Sequence, residues 1–271
     1  FKNFGENQIK EIINASKFSL FFIDENQKVD IFDIGSKEEI EKYAKKLGAE
    51  VYIYKLDSQF RCNGSNGYLA WLDDVLQIHE TANFDSFEMN YDFKIFDDPN
   101  KMMKAIKKLN QINNKSRMVA GYCWDWLSEG KNNSLIHDIT IGDNFKMSWN
   151  LRSSSTWAID SESIEEIGCI HTCQGLEFDY VGVIIGNDLR YEDGKIITDF
   201  TERAKTDQSL KGIKTMAKKN LSKAEEIAEN IIKNTYRTLM TRGQKGCYIY
   251  CCDKNLEQYL KQRLNIFSKN I

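Results

Sequence analysis

The sequence predicts a layered α/β protein: helices on a parallel sheet, with the end of a first domain leading into a more complete second one. Apolar runs of strand length alternate with amphipathic segments of helix length along most of the chain. The 271 residues are 41% hydrophobic and 28% charged, which allows one large or two ordinary cores and excludes disordered or collagen-like order. The longest apolar runs, Leu20 to Ile23 and Val181 to Ile185, are strand-sized and far from the ~18 residues of a membrane span.

In chain order, Ser19 to Asp24 reads as a short strand bounded by turn residues. Ser36 to Leu47 has helical spacing behind an N-capping serine with Glu39 three residues on, and Val51 to Leu56 reads as another strand. Strand, helix, strand is the grammar of a parallel sheet. With a single proline in the chain, linkers must be read from Gly, Asn and Asp. The cluster Gly64-Ser65-Asn66-Gly67 is such a turn, followed by a helical pattern of Leu69, Leu72, Val75 and Leu76.

Asp97 and Pro99 open a helix through Leu109, and Met118 to Cys123 reads as a buried strand. The acid pairs Asp73-Asp74 and Asp97-Asp98 look like helix-start charges favoured by the macrodipole. Ile164 to Ile170 and Tyr180 to Ile185 are further strands, separated by a turn-bearing segment from His171 to Asp179. Leu210 to Met240 is a long lysine-rich helical region with Ala224, Ile227, Ile231 and Ile232 on one face, and Cys247 to Cys252 is a final strand.

Lys plus Arg is 37 against Asp plus Glu 40, a net charge of −3, so any nucleic-acid site must be a local patch and not a basic surface overall. Seven cysteines without paired C-x-x-C spacing suit a reducing cytoplasm better than a disulfide framework. Cys169, His171 and Cys173 alternate like a metal half-site, but a structural zinc needs four ligands and the nearest other candidates, Cys247, Cys251 and Cys252, have no C-x-x-C spacing, so they read as core residues and no metal is expected. The chain opens at Phe1 with no charged region ahead of an apolar one, and reads as a piece of a longer protein.

Neither a G-x-x-x-x-G-K-[ST] nor a G-x-G-x-x-G loop occurs. Four other segments place polar groups beside buried strands. Phe21 to Gln27 delivers Asp24 and Gln27 after an apolar run, where open α/β sheets bind ligands. Leu56 to Arg61 repeats that layout with an arginine, His171 to Val181 is a polar loop with Gly175 as hinge, and Tyr236 to Gly243 sets Arg242 between a helix and a strand. Trp124, just past a strand, offers an aromatic face on which a base can stack.

Jointly and in this order, these segments resemble motifs III to VI of superfamily 1 helicases. The wording Ser58-Gln59-Phe60-Arg61-Cys62-Asn63-Gly64, Gly121-Tyr122-Cys123-Trp124-Asp125-Trp126 and Gly168 to Asp179 is similar to one branch, the Schlafen group 3-like DNA/RNA helicase domain family, over nearly the whole chain. The resemblance implies RecA-like (P-loop NTPase type) parallel sheets, with residues 1–57 ending a first domain and 58–271 forming a second. It implies ATP and Mg²⁺ as cofactors of the intact protein and DNA or RNA, single-stranded, as partner. The phosphate loop and Mg²⁺-binding acids would lie in an amino-terminal RecA-like half, so this chain alone is expected to be inactive.

By that resemblance Gln27 senses the γ-phosphate and Arg61 and Arg242 are arginine fingers. Asp24, Gln59, Gly175 and Glu177 belong to the nucleotide site, and His171, Thr172, Gln174 and Trp124 to the nucleic-acid path. The residue types suit this chemistry, since a planar guanidinium stabilises the equatorial oxygens of phosphoryl transfer and short polar donors hold a backbone without reading sequence. Gly243 departs from the alanine usual in superfamily 1. The rival readings are a DNA/RNA- or protein-binding module with relic arginines and, less strongly, a nuclease partner domain.

Overall fold

The computed structural model describes residues 7–55, 61–79, 91–127, 133, 135–150 and 156–268. The helices are α1 (Gln8–Ala15), α2 (Lys37–Lys46), α3 (Asn66–Val75), α4 (Pro99–Asn113), α5 (Ile170–Cys173), α6 (Ile213–Lys219), α7 (Leu221–Met240) and α8 (Lys254–Ser268). The strands are β1 (Asp92–Phe96), β2 (Ser116–Ala120), β3 (Ile139–Ile141), β4 (Phe145–Trp149), β5 (Glu166–Gly168), β6 (Phe178–Ile185), β7 (Leu189–Glu192), β8 (Lys195–Thr198) and β9 (Gly243–Cys251).

Seven strands form one sheet in the order β1-β9-β6-β2-β5-β4-β3, parallel throughout except for β3 against β4. β6 and β9 lie side by side near its middle and are almost wholly buried, as near-continuous apolar strands of a two-face-covered sheet must be. Met102 and Ile106 of α4 pack on one face with Met118, Trp149 and Ile167. Trp71 of α3, Ile231 and Ile232 of α7 and Leu256 of α8 pack with Val181, Val183 and Ile249 on the other. This is the helix-sheet-helix layering of RecA-like domains. Among the described residues no helix is long and apolar enough to cross a membrane.

Local signals formed several helices as expected. Ser36 accepts from the Glu39 N–H at 3.1 Å, while the Glu39 carboxylate reaches back to the Gly35 N–H at 3.0 Å. Asp98 caps α4 by accepting from the Asn100 N–H at 2.8 Å, with Pro99 in the first turn. The long lysine-rich region is two helices and not one: Asn220 ends α6, adopts an extended backbone and caps α7 by accepting from the Lys223 N–H at 3.1 Å.

Other expectations are corrected. Residues 19–24 and 51–55 form no strand and leave apolar side chains in solvent, Phe22 at 79% and Tyr54 at 85% exposure; Leu56, the end of the second expected strand, lies outside the described residues. A strand requires a neighbouring strand to hydrogen-bond, and among the described residues neither segment has one. The strand expected over 164–170 is only Glu166–Gly168, because Ser161–Glu165 is a 3₁₀ turn and Ile170 begins α5. Asp73 and Asp74 lie in the last turn of α3 and not its first. The division placed between residues 57 and 58 falls outside the described residues.

Residues 7–55 are nonetheless tied to the larger unit. Val29 is buried in its core, Ile31 N–H donates to Ser209 O at 2.9 Å, and Asn234 Nδ2 donates to Lys28 O at 3.0 Å. Those anchors set the turn that carries Asp24 and Gln27 against the carboxyl-terminal half of α7.

Candidate functional site

Asp24 does not end a strand; it caps a 3₁₀ turn over Glu25–Gln27, accepting from the Asn26 N–H at 3.2 Å. The turn folds Gln27 back so that Nε2 donates to Asp24 Oδ2 at 2.5 Å, and Arg61 Nη1 donates to the same oxygen at 3.3 Å. Burial works against the Asp24 charge, but the Gln27 hydrogen bond and the positive charges of Arg237 and Arg61 outweigh it and hold the carboxyl below its usual range. Gln174 Nε2 donates to Gln27 O at 3.3 Å from the other side. Asp24, Gln27, Arg61 and Gln174 thus line one open cleft, together with Ile34 and Gly35.

Arg61 enters this cleft from a backbone of unusual hand. Cys62 (φ 52), Asn63 (φ 56) and Gly64 (φ 75) are all left-handed, a conformation that costs an ordinary L residue about 1–2 kcal/mol. The contacts that hold it are specific. Cys62 is fully buried with its thiol 3.8 Å from Thr241 O, Asn63 N–H reaches Gln244 Oε1 at 3.5 Å, and Ser65 caps α3 by accepting from the Tyr68 N–H at 3.2 Å. The loop is clipped to the α7–β9 junction, beside Arg242.

Arg242 is 2% exposed. Its Nε donates to Thr238 O at 3.0 Å and its Nη1 to Leu176 O at 3.2 Å, while Nη2 is buried without a partner. Among the described residues it forms no ion pair. Burial and the nearby charge of Arg61 push the guanidinium below its ordinary pKa, against weaker help from Cys173 and Glu177. A buried cation with an orphaned N–H and a second cation near it has donor capacity that its protein partners leave unused.

The sheet explains why these residues meet. Glu177 precedes β6 and Arg242 precedes β9, adjacent parallel strands in which Phe178 opposes Gly243 and the Phe178 N–H donates to Arg242 O at 2.8 Å. Arg242 and Glu177 do not line the open cleft; Arg61 does, and its charge also acts on Arg242. Gly175 is left-handed (φ +83), which turns the chain from α5 towards Leu176 and β6. Gln59 lies outside the described residues.

The nucleic-acid candidates are spread further. His171 is exposed on α5, and Thr172 Oγ1 donates to Asn150 Oδ1 at 3.0 Å just past β4. Trp124 is half-buried: its indole N–H donates to Thr140 O at 3.3 Å, and its own carbonyl accepts from the buried Trp149 at 3.1 Å. It belongs to an aromatic group with Tyr122, Trp126 and Trp149, and lies apart from the open cleft. Cys169 and Cys173 are buried at the two ends of α5, and among the described residues no three His, Cys, Asp or Glu side chains gather as a metal site.

Sequence reasoning missed Arg237 and Asp73. Arg237, in the last turn of α7, grips the Asp73 carboxylate through Nε to Oδ1 and Nη2 to Oδ2, the latter at 3.0 Å. Burial opposes its charge, but Asp73 more than restores it and Asp24 adds to that. The usable signal was an arginine on the buried face of an amphipathic helix, which demands a carboxylate somewhere.

A sequence model of the family described as Schlafen group 3, DNA/RNA helicase domain, matches residues 1–253. The chain is also similar to the uncharacterized protein YPL245W of Saccharomyces cerevisiae, with 28% identity over 282 residues, 96% of this chain and 60% of that protein. The chain therefore spans about three fifths of the length of that relative.

Proposed function

The chain belongs to the Schlafen group 3 DNA/RNA helicase domain family, and we propose that it forms the carboxyl-terminal half of an ATP-dependent DNA or RNA helicase or translocase that works on single strands. The observation that carries this reading is Arg242: a guanidinium 2% exposed, without a carboxylate among the described residues, with an unsatisfied Nη2 and with Arg61 beside it. That donor set fits the phosphates of a nucleotide. Bound ATP with Mg²⁺ supplies the γ-phosphoryl group and its accumulating negative charge.

In this reading Arg242 and Arg61 stabilise that charge, and the Gln27 amide senses the γ-phosphate. Asp24 is a positioning residue that holds both Gln27 and Arg61 through one carboxylate oxygen. Gly175 and Glu177 bring the α5 loop alongside, where His171, Thr172 and Gln174 meet a sugar-phosphate backbone; Gln174, bonded to Gln27 O, links the two sites. An amino-terminal RecA-like half contributes the phosphate loop, the Mg²⁺ acids and partner strands for residues 18–23 and 51–55. The seven cysteines, all free, are in keeping with a reducing cytoplasm.

The test compares ATP affinity and nucleic-acid-stimulated phosphate release for the intact protein and its Arg242→Ala and Arg242→Lys variants. Arginine fingers are worth about 10³ to 10⁵ in rate, so Arg242→Ala should keep ATP affinity and lose more than ~100-fold in turnover even with Arg61 present. Lysine should recover little, lacking the planar fork. Turnover within about threefold of wild type in a folded variant sinks the finger, and absence of ATP turnover in the intact protein favours a binding module instead. The chain alone should release no phosphate; turnover near ~1 s⁻¹ from clean protein defeats the two-half reading.

A further inference from the structure

We propose that the lysine track along residues 205–223 is a second contact for the sugar-phosphate backbone of single-stranded nucleic acid, separate from the α5 loop. The inference rests on the helicase reading for the class of ligand, but its residues are new. Lys205, Lys211, Lys214, Lys218, Lys219 and Lys223 are all exposed, and the segment carries only one acid in a chain whose net charge is −3. That acid, Asp207, is buried and taken up by Arg203 Nε at 2.8 Å and the Ser209 hydroxyl at 2.6 Å.

Some exposed lysines of this protein pair with an acid four residues away, Lys45 with Glu41 and Lys101 with Asp97. Among the described residues none of the six track lysines has such a partner; Glu202 stands before the track, and Glu225 and Glu226 lie just beyond it. Unscreened like charges repel one another, and an external polyanion relieves that.

The backbone beneath them is fixed. Leu210 and Ile213 are buried and Met216 and Ala217 pack on the core, so α6 turns its apolar side inward and leaves Lys214 and Lys218 together on one face. With its apolar side covered, α6 lacks the free face that a lipid-binding helix inserts, which favours a nucleic-acid backbone over a membrane.

The track also begins where an aromatic loop ends. Lys205 N–H donates to Asp125 Oδ1 at 2.6 Å, Trp126 N–H to Thr206 Oγ1 at 3.3 Å, and Ala204 N–H to Tyr122 O at 3.0 Å. Cationic side chains on backbone joined to half-buried indoles are compatible with the pairing that sequence-tolerant single-strand binding uses. α7 rises about 1.5 Å per residue, so Lys223 stands roughly 20 Å along it from Arg237. The track is thus at the end of the helix remote from the nucleotide cleft.

The experiment measures binding of a labelled mixed-sequence single strand, as DNA and as RNA, by the full chain across a salt series. One variant replaces Lys211, Lys214, Lys218 and Lys219 by Ala. A control replaces Lys42, Lys46, Lys104 and Lys108, also exposed and without ion pairs among the described residues, and a third changes the track lysines to Arg. The track variant should lose at least about tenfold in affinity and about 2–3 in the slope of log K against log salt; the control and the Arg version should bind as wild type.

Wild-type binding by the track variant overturns the proposal, and a concurrent loss in His171→Ala/Gln174→Ala would leave the helicase reading intact. An equal loss in the control makes the effect bulk charge and overturns it too. Loss of binding to phosphatidylserine vesicles with oligonucleotide binding unchanged assigns the track to a membrane and overturns it as well.

Discussion

At the end of α7 two buried arginines, Arg237 and Arg242, stand in opposite electrostatic situations. Arg237 has its carboxylate, Asp73, in a two-point grip; Arg242 has carbonyls only and an idle Nη2. Removing one member of a buried pair strands the other, so Arg237→Ala should cost about 3 kcal/mol of unfolding free energy. Arg242→Ala strands no carboxylate and should cost clearly less, which denaturant unfolding of the two variants would show. Equal losses would mean that Arg242 is as structural as Arg237.

Asp24 adds a pH dependence whose sign is set by its lowered pKa. A carboxyl depressed below its unfolded value of about 3.9 stabilises the fold fully above that pH, and the contribution is lost as pH falls through the folded value. Asp24→Asn should therefore be less stable than wild type at neutral pH, by no more than about 1 kcal/mol for so exposed a group, and the gap should close in acid below about pH 4. A gap that stays constant down the titration would remove Asp24 from this role.

At the scale of elements, the α7–β9 junction explains the glycine at position 243. Between Phe178 and Tyr180 the β6–β9 register slips, so that Gly243 and Gly246 oppose two residues of β6. A Cβ on Gly243 would stand 2.1 Å from Gly246 O, which is backbone and cannot swing aside. The departure from alanine is thus a requirement of the bulge that follows Arg242. Gly243→Ala should cost about 2 kcal/mol, a fall in Tm of roughly 4 °C or more, and should disturb the Arg242 site with it. An unchanged Tm would mean that the bulge relaxes freely.

At the scale of the whole molecule, residues 18–23 and 51–55 present Leu20, Phe22, Ile53 and Tyr54 to solvent, and among the described residues neither segment has a partner strand. Rows of that kind are a template for association. The chain in isolation should self-associate as its concentration rises, and Leu20→Lys with Phe22→Lys and Tyr54→Lys should return it to a monomer in sedimentation velocity. A wild-type chain that stays monomeric at high concentration would show that these rows are benign.

What the sequence determined by itself is whatever depends on neighbours within a few positions. The caps at Ser36 and Asp98, the amphipathic face of α7 and the apolar runs of β6 and β9 are local patterns that form close to where the residues say, whereas the run expected over 118–123 pairs as Ser116–Ala120 and the break at Asn220 was not read from the sequence. The grouping of Asp24, Gln27 and Arg61 was foreshadowed only by the family likeness of their segments. The tertiary structure decided which extended runs become strands, because a strand is defined by a partner the run does not encode: 19–24 and 51–55 stay unpaired while the unheralded β1 finds β9. It likewise decided that Asp73 ends α3 beside Arg237, that Asp24 turns instead of ending a strand, and that Arg242 is buried without an ion pair among the described residues. Burial and charge pairing are sums over contacts distant in sequence, such as the 164 positions between Asp73 and Arg237, and only the packing of α3 and α7 on one sheet face brings those terms together.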